Sequence, residues 1–414
     1  MNQKNVILHD PQQQVGYLEQ CLSNDKKPLG LFLGAGCPMA VRLDGDGAQP
    51  LIPDIAGITN MVCVELEKCK VCSPLLQIVR TNLESDGCSN PTIEDILTHI
   101  RALRAVAGTD KVRGLSAQQL DQLDASICNQ IYQIVSKDIP KSETPYHRIA
   151  AWVDAVRREN PIEVFTTNYD LLMEQAFEDC RVPYFDGFAG VRKPFFDLRA
   201  MEEDMLPPRW ARLWKLHGSV NWYQAADTGV FRSPSPSDGA PNSTAKRVIH
   251  PSHLKYHESR RMPYLAMIDR LRAFLKKPTA TLIICGYSFR DEHINEVIVQ
   301  GLQCTQTAVA FALMFDKASQ YSQAKLLAER RPNLNILARN GGVIGGQECV
   351  WPEKDAESVA SDPAGWVRWA HVDPTNHKDK RKAEFTLGDF AIFGRFLQEL
   401  VGTVRQPMEV SSGK

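Results

Sequence analysis

The chain has no apolar run long enough to cross a bilayer, which takes about 20 residues. Its first residues, MNQKNVILHD, have no apolar secretory core. It also lacks a dominant charge. Lys and Arg number 48 against 49 Asp and Glu, a formal net charge of -1, so general attachment to nucleic acid or to a membrane surface has no electrostatic basis. There is no internal repeat and no disulfide framework. The eleven cysteines are odd in number and scattered, as expected where thiols stay reduced. These absences predict a cytoplasmic protein with no sequence-specific nucleic-acid binding and no membrane partner. What remains is an ordinary globular composition, 43% apolar and 23% charged over 414 residues, enough for a large core and two or three domains.

One geometry is then written three times. Leu29–Gly36 reads LGLFLGAG, Ile162–Asp170 reads IEVFTTNYD and Thr281–Asn295 reads TLIICGYSFRDEHIN. Each is an apolar, strand-like run that stops at small or polar residues and then turns helical. A fourth segment, Arg212–Ser219 (RLWKLHGS), puts His217 where a strand would end. Strands are predicted at Gly30–Leu33, Ile162–Phe165, Leu213–Leu216, Thr281–Cys285 and Ala308–Phe315. Helices are predicted at Leu171–Asp179, Asp291–Leu302 and Lys317–Glu329. The alternation argues for an α/β fold, a Rossmann-like parallel sheet with helices on both faces. Ligands of such sheets bind beyond the carboxyl ends of the strands, where all four motifs lie.

Between the first and second motifs the pattern is helical. Helices are predicted over 14–24 and 55–69, from the N-cap Thr92 to Val106, over Ser116–Val135 and over Pro145–Val156. The predicted division is a Rossmann-like domain over 1–60 and 160–345, a helical insert over 61–159, and a C-terminal segment, 346–414, that packs on the core or at an oligomer interface. Ala225–Arg247 reads as a loop, Asn376–Lys382 as a solvated basic run and Phe390–Val401 as a closing amphipathic helix.

Gly34-Ala35-Gly36, Ile52-Pro53-Asp54, Thr167-Asn168-Tyr169-Asp170, Lys215-Leu216-His217-Gly218-Ser219 and Gly286-Tyr287-Ser288 resemble, in that order, the NAD-site motifs of the sirtuin family. The resemblance spans residues 28–60 and 160–345. It departs from the deacylating members in two places. Ile52 comes 16 positions after Gly36, with Ile55-Ala56 where Phe-Arg would stand, and no cysteine occurs between His217 and Cys285, so the four-cysteine zinc ribbon cannot be built. In these departures the chain resembles the sirtuin-like effectors of bacterial antiphage defence. Its size and layout look most like the subunit encoded beside a HerA-type ATPase.

The resemblance implies NAD+ as substrate, no zinc, a homo-oligomer, a HerA-type ATPase partner and an NADase that depletes NAD+ in abortive infection. Control would come from oligomeric state, a blocked pocket or a partner. The alternatives are an NAD-dependent protein deacylase and a non-catalytic NAD or ADP-ribose sensor. The residues implied to bind the dinucleotide are Gly34, Ala35, Gly36, Asp54, Thr167, Gly286, Ser288 and Asp316. Catalysis falls to Asn168, His217 and Asp170.

The residue types suit that chemistry. Glycine turns let backbone amides approach a pyrophosphate. The Asn168 amide both donates and accepts, so it can hold a ribose hydroxyl or the attacking water; it can equally open the helix that follows. Asp170 either orders the site or sits in a helix first turn. An imidazole with an ordinary pKa near 6.5 is a suitable general base, the role assigned to His217. Ser288 either lines the ribose or caps the next turn, and His293 and Asn295 either touch ligand or pack. Gly341-Gly342 is placed near the adenine end. Cys69-x-x-Cys72 is read as isolated thiols on a helix, and His250, His253 and His257 as a histidine row without a further metal ligand.

Overall fold

The computed structural model describes residues 7–43, 49–225, 229–233, 246–249, 263–359, 362, 364–372 and 380–402. In chain order the strands are β1 (Ile7–Leu8), β2 (Leu29–Leu33), β3 (Glu163–Thr166), β4 (Tyr184–Phe185), β5 (Phe188–Ala189) and β6 (Phe195–Phe196). They continue with β7 (Ala211–Lys215), β8 (Gly218–Ala225), β9 (Gly229–Arg232), β10 (Lys246–Ile249), β11 (Thr281–Cys285) and β12 (Val309–Leu313). The last are β13 (Leu334–Ala338), β14 (Gly341–Ile344), β15 (Gln347–Val350), β16 (Glu353–Asp355), β17 (Val367–His371) and β18 (Lys380–Phe385). The helices are α1 (Pro11–Ser23), α2 (Ile55–Lys68), α3 (Cys72–Ser85), α4 (Ile93–Val106), α5 (Ala117–Val135) and α6 (Pro145–Ala155). After them come α7 (Leu172–Asp179), α8 (Leu198–Glu203), α9 (Tyr264–Leu275), α10 (Glu292–Cys304), α11 (Ser322–Arg330) and α12 (Phe390–Leu400).

Ten strands form one sheet in the order β1-β15-β14-β13-β12-β11-β2-β3-β7-β4. The run from β13 to β4 is parallel throughout. Successive residues of its strands enter opposite cores, as the period of two requires. Leu31, Leu33, Val164, Leu213 and Ile283 pack with helices α1–α7 and α12, whereas Phe32, Phe165, Trp214, Leu282 and Ile284 pack with α9, α10 and α11. The fold is therefore α/β with both sheet faces covered, which is why these strands read as unbroken apolar runs.

The strand order locates the crevice. From β2 the chain moves outward through β3 to β7. It then returns to lay β11 on the other side of β2 and proceeds through β12 to β13. The direction reverses between β2 and β11, and ligands of open α/β sheets bind at such a switch point. The register is level there: Cys285 pairs with Leu33, Leu33 with Thr166 and Thr166 with Lys215. The motifs that follow these residues therefore emerge along one edge.

Helices α2–α6 lie between β2 and β3. Thr92 and Ser116 cap α4 and α5 in reciprocal capping boxes with Asp95 and Gln119. Helix α12 buries Phe390, Phe393, Phe396 and Leu397, and Phe390 meets Tyr146 of α6 edge-on, ring centroids 5.0 Å apart.

Several expectations need correction. Only one turn of 3₁₀ helix, Pro38–Ala40, follows Gly34-Ala35-Gly36, because Pro38 and the loop to Asp54 intervene before α2. Ala225–Arg247 is not wholly loop: β9 and the start of β10 lie within it, and both pair with β8 in a second, antiparallel sheet. Lys380–Lys382 of the basic run open β18 and stay exposed or partly exposed there, so the solvated face lies on a strand. Cys69 is not within a helix but at the corner that ends α2, with the Cys72 N–H donating to its Sγ at 3.4 Å. The histidine row 250, 253 and 257 lies outside the described residues. Among the described residues, no helix is long and apolar enough to cross a membrane.

Candidate active site

The ends of β2, β3 and β11 are stitched together by backbone. The Gly34 N–H donates to Cys285 O at 2.9 Å and the Gly36 N–H to Gly286 O at 2.8 Å. Thr166 Oγ1 donates to Leu33 O at 2.8 Å, and Asn168 Nδ2 to Gly34 O at 3.1 Å. This close approach is what requires glycine. A Cβ on Gly34 would lie 2.3 Å from Gly286 O, and one on Gly286, whose φ is +68°, would lie 2.7 Å from Cys37 N. The requirement comes from the protein's own packing, before any phosphate is considered. Gly286→Ala adds left-handed strain of about 1–3 kcal/mol to that clash, and a fall in the urea unfolding midpoint of at least the corresponding size is expected.

Beside these turns lies a cavity of about 290 Å³. Of the residues singled out from sequence, Ala35, Thr167, Asn168, Asp170, His217, Gly286 and Ser288 line it. Gly34 and Gly36 stand behind that lining in the stitched turns. Asp54 does not line the cavity: its Oδ1 accepts from the Gly57 N–H at 2.8 Å and caps α2, while its neighbours Pro53 and Ile55 do the lining. Asp316 lies outside it, its N–H donating to the Tyr321 hydroxyl and its carboxylate 3.9 Å from Arg339. Gly341 and Gly342 open β14, away from the cavity.

His217 occupies the turn between β7 and β8, which Gly218 makes with φ +89°. Its side chain is 12% exposed, and Nε2 lies 2.9 Å from Asp291 Oδ2, at ion-pair distance without hydrogen-bond alignment. The other oxygen of Asp291 accepts from the N–H groups of His293 and Ile294 at 3.1 and 3.3 Å, capping α10. One carboxylate thus closes a helix and faces the imidazole. Asn295 is buried and ties its own loop, donating to Phe289 O at 2.8 Å and accepting from the Tyr287 hydroxyl at 2.9 Å. It holds the Gly286–Asp291 loop instead of reaching the cavity.

Below the cavity, Asp170 Oδ1 accepts from the Leu172 N–H at 3.0 Å. The Lys215 ammonium donates to Asp170 O and, at 2.9 Å, to Glu174 Oε1. Burial raises both carboxyl groups above their usual range, and Lys215 pulls each part of the way back. Asp170 is thus fixed at the base of the loop that carries Asn168.

Sequence reading missed Asp291 as the partner of His217, and missed Arg290, Tyr169 and Glu94 as lining residues. Asp291 carries an N-cap signal, yet 74 positions separate it from His217, and only the sheet order joins them. Among the described residues, no group of three or more His, Cys, Asp or Glu is placed to hold a metal ion.

Residues 162–334 match the family described as SIR2-like domain. No curated protein matches the chain. Solved structures that align with it include a Sir2 homologue–NAD complex at 12% identity and TM-score 0.39, covering 74% of this chain and 86% of that one. Another, from work on the mechanism and regulation of Sir2 enzymes, aligns at 10% identity and TM-score 0.35, with the same coverages. A mutant Sir2 homologue with ADP-ribose aligns at 12% and 0.35, covering 73% of this chain and 85% of that one. Over residues 162–334 the α/β architecture is sirtuin-like.

Proposed function

We propose that the protein is an NAD+ glycohydrolase, converting NAD+ and water to ADP-ribose, nicotinamide and a proton. The observation that carries this reading is the pairing of His217 with Asp291 in the cavity that also presents Asn168, at the switch point of a sheet whose residues 162–334 match a SIR2-like domain. The dinucleotide lies across the turns at Gly34–Gly36 and Gly286–Ser288, with Arg290 supplying a cation near its phosphates. As the bond from ribose C1′ to the nicotinamide nitrogen breaks, positive charge develops on the sugar ring. Asn168, tied through Nδ2 to Gly34 O, holds the water or a ribose hydroxyl. His217 takes the proton released when oxygen bonds to C1′, and Asp291 orients the imidazole and stabilises its charged form, as a carboxylate partner does in other histidine bases.

In the cell we propose an NAD-depleting role in antiphage defence. The protein would act as a homo-oligomer beside a HerA-type ATPase, with NAD+ as substrate and no zinc.

The test is NAD+ consumption by purified protein, with and without the neighbour-encoded ATPase, products separated by chromatography. Nicotinamide and ADP-ribose in equal amounts are expected. Tight binding of NAD+ without turnover in any condition would replace this reading by a sensor, and NAD+ use that requires an acyl-lysine peptide would replace it by a deacylase.

A further inference from the structure

The helical segment between β2 and β3 brings one more acid to the cavity. Glu94 is the second residue of α4, inside the capping box that occupies Thr92 and Asp95. Glu94 itself lines the cavity, and its Oε1 accepts from the Tyr169 hydroxyl at 3.2 Å. Tyr169 follows Asn168 in the chain, and its ring centroid lies 6.4 Å from that of His217. Glu94 therefore stands one tyrosine side chain away from His217, in the cavity that Asn168 also lines.

The other lining carboxylates have evident structural tasks. Asp95 accepts from the Thr92 N–H and hydroxyl at 2.8 and 2.7 Å. Asp170 is buried on the Leu172 N–H, and Asp291 caps α10 beside His217. Docking Tyr169 does not need a charge, since a neutral amide oxygen accepts from a phenol equally well. A carboxylate at this place does have an electrostatic use. A fixed negative charge beside a site where positive charge develops lowers the barrier without reorganising.

We propose that Glu94 is a catalytic carboxylate of the cleavage proposed above, its negative charge stabilising the cationic ribose as nicotinamide departs. The inference rests on the glycohydrolase reading. Glu94 forms no bond to the sugar, so water remains the nucleophile and the proton still leaves through His217.

The experiment compares Glu94→Gln with the unaltered protein in NAD+ turnover, in ADP-ribose affinity and in thermal unfolding. Glutamine keeps the acceptor for Tyr169 and removes only the charge. The expected result is a fall in kcat of about 10²-fold, with the unfolding midpoint and the Kd for ADP-ribose unchanged, because the product carries no developing cation. A kcat within a few-fold of the unaltered protein overturns the proposal. So does a loss of ADP-ribose affinity or of thermal stability that parallels the fall in kcat, which would make Glu94 a strut for the Tyr169 loop. Failure of the unaltered protein to turn over NAD+ refutes the glycohydrolase reading itself and is seen before the variant is compared.

Discussion

Replacing His217 with alanine is expected to lower NAD+ turnover by about 10²–10⁴-fold, the usual cost of losing a general base, while the protein stays folded. The imidazole projects from a turn whose left-handed residue is Gly218, so truncation leaves the turn's backbone geometry in place; the side chain is mostly buried beside Tyr169, and the packing lost with the proton acceptor is what the stability control reads. The assay must use conditions in which the unaltered protein is active, with thermal unfolding and ADP-ribose binding measured alongside. Near-normal turnover would sink the assigned mechanism; joint loss of turnover, binding and stability would move His217 to a structural role. Asp291→Asn supplies the second corner of a cycle. Asparagine is as good an N-cap as aspartate, so α10 keeps its cap while the imidazole loses its negative neighbour. Turnover should fall, by less than in His217→Ala. Because Asp291 acts through His217, the double variant should be no worse than His217→Ala alone. Additive losses would mean that Asp291 acts on the substrate directly.

The sequence reached the sheet and much of the cavity's lining because parallel strands buried on both faces announce themselves as short apolar runs. Thr281–Cys285 is a strand with the predicted bounds, and β2, β3 and β7 differ from prediction only by a residue or two at their ends. The capping box at Thr92 was equally plain, since the signal is local. What stayed hidden depends on pairing. The strands β8, β9 and β10 are rich in polar residues, and only their mutual ladder makes them strands. Asp54, taken for a ligand contact, spends its carboxylate on α2, and Asp316 follows a strand displaced from the switch point. Glu94 drew no reading of its own, because nothing in Thr92–Asp95 reveals that α4 begins at the cavity. The glycines were legible as close-approach residues, but the chain they approach, Gly34 against Gly286, is 252 positions away.

Lys215→Met is expected to destabilise the protein by about 3–5 kcal/mol at neutral pH, the cost of stripping the partner from buried charge. The lysine side chain is 1% exposed and its ammonium serves both Asp170 O and Glu174 Oε1, with the carboxylates of Asp170 and Glu174 buried beside it. Methionine fills much of the same volume, so the loss is electrostatic rather than a cavity. Burial already raises the Asp170 and Glu174 carboxyl groups, and the lysine is what draws them back; without it both rise further. A carboxyl group with a raised folded-state pKa favours the folded protein below its unfolded value, about 4, and loses that advantage as pH climbs through the folded value. The penalty of Lys215→Met should therefore be largest at neutral pH and shrink as the solution is acidified, vanishing only below about pH 4, where both carboxyl groups carry their protons in either state. Urea unfolding at pH 7 and at pH 5 measures it, and a penalty independent of pH would show that packing, not charge, is what Lys215 supplies. Adding Glu174→Gln to Lys215→Met removes one stranded carboxylate and should recover part of the stability. Full recovery is not expected, because Asp170 remains, at the foot of the loop that carries Asn168.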